Sequence, residues 1–215
     1  MDMESTLGNA GIIPVIVIED AAKAVPLAKA LVKGGLPVIE VTFRTAAAAD
    51  AISAISKEVP EAVVGAGTLL TPEQISAARN AGAVFGVAPG FDPVAVNAAK
   101  AAGLPFVPGI ATAAELSQAL SAGCKIVKFF PAEAAGGATY IKNLLGAFRF
   151  TGVKFMPTGG VNPGNVRDYL SVDEIICVGG TWIAPKADIA EGNWDRIEEL
   201  AKEAVSLVAE IRGEK

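Results

Sequence analysis

Histidine is absent from this chain of 215 residues. Its absence excludes histidine-based catalytic triads, the usual zinc clusters, and an imidazole as general acid or base. Any proton transfer must therefore be carried out by a carboxylate, a lysine, a tyrosine or a cysteine.

Cysteine is nearly as scarce, since Cys124 and Cys177 are the two in the sequence. Two cysteines in a chain of this length do not make a disulfide framework. We expect both to be reduced residues buried as small hydrophobic side chains, which is typical of a cytoplasmic protein.

Basic clusters and long apolar runs are missing as well. The net charge of −5 without a basic cluster argues against nucleic acid as a partner. The apolar runs are far shorter than a membrane span, so no membrane association is expected. The acidic start, Met1-Asp2-Met3-Glu4, does not resemble a signal peptide, which also predicts a cytoplasmic location.

The composition is otherwise that of a protein with a large core. Hydrophobic residues make up 52% and charged residues 19% of the chain, and the mean hydropathy is +0.45. This composition excludes disorder and suits one domain of the larger type. The apolar surplus indicates that some surface is buried between subunits.

Strand-like and helix-like segments alternate along the whole chain. The candidate strands are spaced by about 20 to 28 residues, close to one βα unit each. Eight units without a domain-sized break predict a single closed (β/α)8 TIM barrel over residues 1–215, with 1–11 as a lead-in segment. A doubly wound open sheet is the alternative, but the G-x-G-x-x-G fingerprint of a dinucleotide binder is missing after the first strand. The strands are expected to begin near Ile13, Val38, Val63, Phe85, Phe106, Ile126, Lys154 and Ile175.

Capping signals predict where several helices begin. Each signal is a Ser, Thr, Asp or Asn before a helical segment, in most cases followed by proline or by a glutamate three residues on. The predicted helices are Ala21–Lys33 after Asp20, a helix from Pro72 to Asn80 after Thr71, Val94–Ala102 after Asp92-Pro93, a helix to Ser121 after Thr112 with Glu115, Val166–Leu170 after Asn162-Pro163, and Trp194–Arg212.

Lys128 lies in an otherwise apolar strand, Ile126-Val127-Lys128-Phe129-Phe130-Pro131. One interpretation is that its stem reaches out to water at the strand end. The other is that the amine sits in an apolar pocket, where desolvation favours its neutral form and allows it to attack a ketone as a Schiff-base nucleophile. The segment alone does not separate the two. Lys125, just before the strand, is expected to be solvated.

The second strand carries a polar set, Glu40, Thr42 and Arg44, on one face. Strands buried on both faces usually read as continuous apolar runs, so polar residues there are out of pattern. Mutual neutralisation of Glu40 and Arg44 is one explanation, but burying an ion pair is a poor route to stability. We favour a functional role.

Glycine-rich segments follow several other strands. Thr68 ends Val64-Gly65-Ala66-Gly67-Thr68, where glycines allow a ligand to approach the backbone. The pairs Gly159-Gly160 and Gly179-Gly180, the latter followed by Thr181, come after strands seven and eight, the usual phosphate location in such barrels. Tight turns explain all of these glycines as an alternative. Trp182 is expected to be a packing residue, and Glu133, Glu191 and the charges of the last helix to be solvated.

These features together indicate carbon–carbon chemistry on a phosphorylated 2-keto acid. A lysine nucleophile, an inward carboxylate, an arginine for a substrate carboxylate and a phosphate site form the required set. An iminium on Lys128 would act as the electron sink, with Glu40 moving protons directly or through one water. No metal and no cofactor is required.

The ordered motifs resemble those of the 2-keto-3-deoxy-6-phosphogluconate (KDPG) aldolase family, related to 4-hydroxy-2-oxoglutarate (KHG) aldolase. The similarity covers nearly the whole chain. It is carried by Ile39-Glu40-Val41-Thr42-Phe43-Arg44-Thr45, Val64-Gly65-Ala66-Gly67-Thr68, Lys128-Phe129-Phe130-Pro131-Ala132-Glu133 and Pro157-Thr158-Gly159-Gly160-Val161. The resemblance implies a (β/α)8 barrel assembling as a homotrimer, and a class I aldolase of the Entner–Doudoroff pathway that reversibly cleaves KDPG to pyruvate and glyceraldehyde 3-phosphate.

The resemblance also implies roles for individual residues. Lys128 matches the Schiff-base lysine and Glu40 the general acid/base. Arg44, Thr68 and Thr158 match the pyruvate pocket, with Pro89 and Phe130 against the pyruvyl methyl group. The implied phosphate site consists of Gly159, Gly160, Gly179, Gly180 and Thr181. Family members often carry serine where Thr181 stands, which puts phosphate affinity in doubt more than the chemistry.

Three alternative functions compete with this assignment. The first is a galactonate-epimer aldolase, and the second is a sugar-phosphate epimerase or isomerase on a similar barrel, although that chemistry usually uses paired acids, histidine or a metal. The third is a barrel that serves as an assembly scaffold with redesigned outer surfaces. A larger pyruvate-lyase barrel would need a considerably longer chain.

Overall fold

The computed structural model describes residues 2–213, and these contain ten α-helices and nine β-strands. Met1 and residues 214–215 of the predicted domain lie outside the described part. The helices are α1 (Met3–Ala10), α2 (Ala24–Lys33), α3 (Ala48–Glu58), α4 (Pro72–Asn80), α5 (Pro93–Ala101), α6 (Ala113–Ser121), α7 (Gly137–Phe148), α8 (Val166–Leu170), α9 (Lys186–Glu191) and α10 (Trp194–Arg212). The strands are β1 (Ile12–Ile16), β2 (Val38–Thr42), β3 (Val63–Gly67), β4 (Gly86–Val87), β5 (Phe106–Val107), β6 (Gly109–Ile110), β7 (Ile126–Phe129), β8 (Lys154–Pro157) and β9 (Val178–Gly180).

Side-chain caps begin α4, α5 and α6, as the capping signals predict, whereas α8 and α10 begin without one. The Thr71 hydroxyl accepts from the Gln74 N–H at 3.3 Å, and the Asp92 carboxylate accepts from the Val94 N–H at 2.8 Å. Asp20 caps a short 3-10 turn that precedes α2, so this helical segment is not α-helical from its first residue. Within residues 2–213, no helix has the length and apolarity needed to cross a bilayer.

The capping box of α6 makes a stability prediction. One Glu115 oxygen accepts from the N–H of Ala111 at 2.9 Å, and from the N–H and hydroxyl of Thr112, each at 2.8 Å. These bonds, that from Ala111 first, hold the pKa of Glu115 below its ordinary 4.5, against the opposing effect of partial burial. We expect Glu115→Ala to lower the unfolding free energy by about 0.3–1.5 kcal/mol at neutral pH.

The pH dependence of that loss follows from the sign of the shift. A carboxyl with a depressed pKa contributes stability above its unfolded pKa and loses it as pH falls through the folded value. The difference between wild type and Glu115→Ala in urea unfolding should therefore shrink below pH 4.5. Gln118→Ala, an exposed site on the same helix, is the control. An equal difference at neutral and acid pH would contradict the assignment.

The strands agree with the sequence prediction at most positions and differ at two. The fifth strand is split, because Pro108 has no N–H to donate and separates β5 from β6. β5 pairs with β4, whereas β6 pairs with β7. The eighth strand was expected near Ile175, but β9 begins at Val178, and Ile175 makes a single bridge to Phe155.

The parallel strands form two sheets. The larger has the order β5-β4-β3-β2-β1-β9 and the smaller β6-β7-β8. The single continuous eight-stranded ladder that was expected is not formed within residues 2–213. Isolated parallel bridges, Phe155 to Ile175 and Thr158 to Gly179, join β8 to the segment containing β9, and the Gly109 N–H donates to the Gly90 carbonyl at 3.2 Å.

Two hydrophobic clusters lie on opposite faces of the strands. The larger contains Ile39 and Val41 of β2 and packs the strands against the helices. The smaller lies on the inner face and includes Leu7 of α1, so the predicted lead-in segment is a helix that contributes to this cluster. Its buried members are Leu7, Ile13, Val38, Phe85, Val87, Val107, Met156 and Cys177.

Candidate active site

A cavity of about 290 Å³ lies at the carboxyl ends of the strands. Parallel strands bring residues distant in sequence to this one edge, which is where barrel enzymes bind their substrates. The cavity is lined by Val15, Arg44, Thr68, Pro89, Lys128, Phe130, Thr158, Gly159, Gly160, Val161, Gly179 and Thr181. Ten of these twelve were candidate residues from the sequence. The two others, Val15 and Val161, were missed because apolar residues at strand ends carry no chemical signal.

Lys128 is buried in this cavity. Its side chain is 6% exposed, so the interpretation in which the stem reaches bulk water is wrong. The backbone N–H of Lys128 donates to the Pro108 carbonyl at 2.8 Å, which fixes the strand against β6. Gly109 is its partner in the register, and a Cβ on this glycine would lie 2.2 Å from the Pro89 backbone. The Nζ atom lies 5.5 Å from the centroid of the Phe130 ring, within cation–π distance.

The partner of the lysine is Glu40. Its side chain is fully buried, and its Oε1 lies 3.3 Å from the Lys128 Nζ. The alternative in which Glu40 neutralises Arg44 is wrong, since Arg44 is exposed at the rim and no ion pair within 4.0 Å joins the two. An amine and a carboxylate in contact, both removed from water, can exchange protons with a substrate bound between strand ends.

The polar residues of β2 and of the segment just after it make different contacts. Glu40 contacts the lysine, whereas the Thr42 hydroxyl donates to the Ile16 carbonyl at 2.8 Å and ties β2 to β1. Arg44 lies beyond the end of the strand and lines the cavity. Alternation along the strand therefore identified the polar face but not the separate partners.

Two buried side-chain oxygens make no hydrogen bond within the described part of the chain, Glu40 Oε2 and Thr158 Oγ1. An unsatisfied buried polar group costs roughly 1–3 kcal/mol, so such groups call for an explanation. Thr158 lines the cavity, and Glu40 contacts Lys128, which lines it. Their free lone pairs and the Thr158 hydroxyl are available to a bound ligand.

Backbone geometry distinguishes the two glycine pairs. Gly159 and Gly160 have φ of 98° and 84°, a conformation that favours glycine, so the turn interpretation holds for this pair. Gly179 and Gly180 lie in β9 instead. A Cβ on Gly180 would lie 2.5 Å from the Trp182 ring, so this glycine accommodates the packing of Trp182 and does not line the cavity.

The helix N-termini expected beside these glycines lie further along the chain. α8 begins at Val166 and α9 at Lys186, several residues after each glycine pair. The Gly160 carbonyl accepts from the side-chain amides of Asn162 and Asn165, at 3.0 and 3.1 Å, which fixes the turn. Neither glycine pair therefore lies at a helix N-terminus.

Of the acidic residues expected at the solvated surface, Glu133 is exposed, as predicted, and has a hydrogen-bond partner, whereas Glu198 is buried. Glu133 accepts a hydrogen bond from the hydroxyl of the buried Tyr169, and burial together with this carboxylate raises the pKa of Tyr169. Glu198 in α10 is buried between Lys33, at 2.7 Å, and Lys202. Lys125 and Glu191 are exposed, as predicted.

Both cysteines are free thiols, as the sequence predicted. Cys177 is fully buried in the inner cluster, and burial raises the pKa of its thiol. Cys124 is half-buried, and burial raises its pKa as well. Neither thiol lines the cavity around Lys128.

A larger cavity, of about 530 Å³, lies near the start of α7. Its lining includes Glu133, Lys142 and Asp168, and its one lysine is exposed. It lacks the desolvated amine that nucleophilic attack on a ketone requires. Of the two cavities, the smaller one is lined by a buried lysine.

Comparison with known proteins identifies relatives over nearly the full length. The model of the family described as KDPG and KHG aldolase matches residues 3–200. The KHG/KDPG aldolase of Escherichia coli strain K12 is 48% identical over 202 residues, which cover 94% of each chain.

Solved structures agree with the sequence comparison. A KDPG aldolase from Legionella pneumophila, with pyruvate captured as a covalent carbinolamine intermediate, has a TM-score of 0.89 and 40% identity, covering 94% of this chain and 97% of that one. The 2-keto-3-deoxy-6-phosphogluconate aldolase of Zymomonas mobilis ZM4 with 3-phosphoglycerate has a TM-score of 0.87 and 45% identity, covering 94% of each chain. With a buried lysine and carboxylate in contact at the strand ends, and relatives of this kind over its length, the chain belongs to the KDPG and KHG aldolase family of carbon–carbon lyases.

Proposed function

We propose that the protein is a class I aldolase that reversibly cleaves KDPG to pyruvate and D-glyceraldehyde 3-phosphate, and also KHG to pyruvate and glyoxylate. The observation that carries this proposal is the buried Lys128 amine, 3.3 Å from the fully buried Glu40. Membership of the family and the covalent pyruvate adduct of the Legionella relative support it.

Lys128 is the proposed nucleophile. Its neutral amine attacks the C2 ketone to form a carbinolamine, and loss of water leaves a protonated imine. This imine accepts the electron pair of the C3–C4 bond when that bond breaks, so the nitrogen becomes neutral and an enamine forms. The low exposure of the lysine supports this role, because a site closed to water protects the imine from premature hydrolysis.

Glu40 is the proposed general acid/base. In the cleavage direction its carboxylate takes the proton of the C4 hydroxyl as the aldehyde forms, and it returns a proton to C3 of the enamine. Water then hydrolyses the imine to release pyruvate and the free lysine. The unpaired Oε2 of Glu40 supports this role, because it leaves one oxygen free to accept the proton.

The pyruvyl half of the substrate is proposed to bind between Arg44, Thr68 and Thr158. A guanidinium and two hydroxyls offer the donors that a carboxylate and a carbonyl oxygen accept. Pro89 and Phe130 supply the apolar wall for the methyl group. All five residues line the cavity around Lys128.

Thr68 makes a prediction that separates binding from stability. Its φ of 58° is a left-handed conformation that a threonine adopts at a cost of roughly 1–2 kcal/mol. Thr68→Gly relieves that strain and loses about 0.5–1 kcal/mol through the added freedom of the unfolded chain. We expect the unfolding free energy to rise slightly, by up to ~1 kcal/mol. Loss of a hydrogen bond to the charged pyruvate should at the same time weaken its binding by ~10- to 100-fold.

Thr68→Ser is the matched control, because it keeps the hydroxyl and the strained backbone. Its pyruvate affinity and its stability should stay near those of the wild type. Calorimetric titration and urea unfolding measure the two quantities separately. Unchanged pyruvate affinity in Thr68→Gly would remove Thr68 from the binding site.

The phosphate is proposed to bind at the loop glycines beyond β8 and β9. Gly159, Gly160 and Gly179 expose backbone next to the cavity, and Thr181 adds a hydroxyl. Phosphate binding by Gly180 stays a prediction, and its backbone N–H is the group that would donate to the phosphate. Thr181 carries a methyl group that serine lacks, so affinity for the phosphorylated substrate is the quantity that Thr181→Ser should change.

We propose the gluconate substrate rather than its galactonate epimer, because the Escherichia coli, Legionella and Zymomonas relatives are named for the gluconate. The two epimers differ at C4, beside the proposed proton acceptor Glu40. Turnover of each epimer at equal concentration decides between them, and faster cleavage of the galactonate would reverse the preference.

We further propose that residues 1–215 form one domain, a closed (β/α)8 barrel, in a cytoplasmic homotrimer. The single bridges from β8 toward β9, and the split fifth strand that pairs on both sides, support closure. The apolar composition and the exposed side chains of Leu70, Val94 and Phe150 support self-association. Light scattering should give three times the chain mass of 21.8 kDa, and a single chain mass would contradict the trimer.

Borohydride reduction in the presence of pyruvate tests the proposed function. The aldolase forms an imine that reduction turns into a stable pyruvyl adduct on Lys128, with loss of activity. Peptide mapping should find the adduct on the peptide containing Lys128, and omission of pyruvate should abolish it. An epimerase, an isomerase or an inactive scaffold forms no adduct, so an unmodified protein that keeps its activity would contradict the proposal.

A further inference from the structure

The inner face of β3 lacks side chains beside the Lys128–Glu40 pair. Its inward positions are Val63, Gly65 and Gly67, which alternate with Val64 and Ala66, and the two nearest the pair are glycines. A Cβ placed on Gly67 would lie 2.0 Å from Glu40 Oε1, 2.7 Å from its Cδ and 2.8 Å from its Cγ. All three nearest atoms belong to Glu40, so this glycine leaves room for one side chain.

The register of the strands explains the contact. Glu40 pairs with Gly65 and Thr42 pairs with Gly67 in the parallel ladder of β2 and β3. Side chains in strands lean along the strand direction, so the Glu40 side chain reaches from its own level to that of Gly67. That position places its Oε1 3.3 Å from the Lys128 Nζ.

Backbone conformation does not account for the glycine. The φ angle of Gly67 is not in the positive range that favours glycine, so an alanine can adopt the same backbone conformation. Glycine inside a strand weakens the strand and often marks close approach by another group. The group here is a fully buried carboxylate, 0% exposed.

We infer that Gly67 is a positioning residue, whose missing side chain lets the Glu40 carboxylate lie beside the Lys128 amine. This inference rests on the proposed function, in which Glu40 moves protons to and from the substrate carbon. A side chain at position 67 displaces the carboxylate from the amine and slows proton transfer. Imine formation by Lys128 is left in place, because no Lys128 atom is among the three nearest to the added Cβ.

A double-mutant cycle of thermal stability, called the stability cycle below, tests the contact between position 67 and Glu40 without using activity. Gly67→Ala should lower the midpoint of thermal unfolding in the wild-type chain. It should lower it far less in Glu40→Ala, where the three clashing atoms Cγ, Cδ and Oε1 are gone. If Gly67→Ala alone does not fold, the double variant should fold. An equal loss in both backgrounds, or a double variant that does not fold, would overturn the inference.

Proton exchange tests the effect on chemistry. We expect Gly67→Ala to keep borohydride trapping of pyruvate, and to exchange the pyruvate methyl protons with deuterium more slowly, by about the 10²–10⁴-fold typical of losing a positioned base. In the Glu40→Gln background the same substitution should have no further effect on exchange. Unchanged exchange in Gly67→Ala, or a second equal loss in the Glu40→Gln background, would overturn the inference.

Gly65→Ala is the matched control two residues earlier on the same face. Its added Cβ would lie 2.2 Å from the Phe85 ring, so it strains the core without touching Glu40. The exchange rate of Gly65→Ala, divided by the fraction of protein that borohydride traps, should equal that of the wild type. A loss of exchange as large as that of Gly67→Ala would overturn the inference. A wild-type protein that neither traps nor exchanges pyruvate contradicts the proposed function instead, and the stability cycle still decides the contact.

Discussion

Lys128→Ala is expected to leave a folded protein without measurable aldolase activity. The substitution removes the amine that forms the imine, and no other lysine lines the cavity among the described residues. Without that electron sink, the C3–C4 electron pair has no acceptor. We expect the fall in turnover to exceed the ~10²–10⁴-fold associated with one general base. The neighbouring buried carboxylate loses its partner, so the unfolding free energy should fall by about 3–5 kcal/mol.

Lys125→Ala is the matched control for that variant. Lys125 lies three positions earlier in the chain and is exposed, so its removal tests the loss of a lysine without the loss of the buried amine. Its turnover and its borohydride adduct should equal those of the wild type. Circular dichroism and coupled pyruvate detection measure folding and turnover. Wild-type turnover by Lys128→Ala would refute the assignment of the nucleophile.

Glu40→Gln is expected to bind pyruvate as an imine and to exchange its methyl protons ~10²–10⁴-fold more slowly. The amide has nearly the shape of the carboxylate and keeps an oxygen near the lysine, but it cannot accept a proton. The trapping step and the exchange step should therefore separate in this variant. Nuclear magnetic resonance of pyruvate in deuterated water measures exchange, and mass spectrometry measures the trapped adduct.

Glu198→Gln is the control, because Glu198 is another buried carboxylate in contact with lysines. It lies in α10, which packs on α2, and it does not line the cavity around Lys128. Its exchange rate should be that of the wild type. Unchanged exchange in Glu40→Gln would point to another base.

Most of the local architecture could be predicted from the sequence. Helix starts could be predicted from Thr71, Asp92 and the Thr112–Glu115 pair, because a cap depends on residues within one turn. The α3, α7 and α9 helices were not among the predicted ones, and each begins without a side-chain cap. The α1 helix was predicted only as part of a lead-in segment, although the Asp2 side chain caps it. The lysine in an apolar strand and the glycines after later strands were also visible, since each depends on a few neighbouring residues.

The sequence by itself determined the order of strands and helices, the likeness to one aldolase family, and ten of the twelve residues that line the cavity at the strand ends. The tertiary structure alone decided which of them touch. Lys128 and Glu40 are 88 residues apart, and their contact depends on strand register and on the space above Gly67. The structure also decided the split at Pro108 and the burial of Glu198 between two lysines. Periodicity and capping arise within a few residues, whereas these contacts arise from packing between segments distant in the chain.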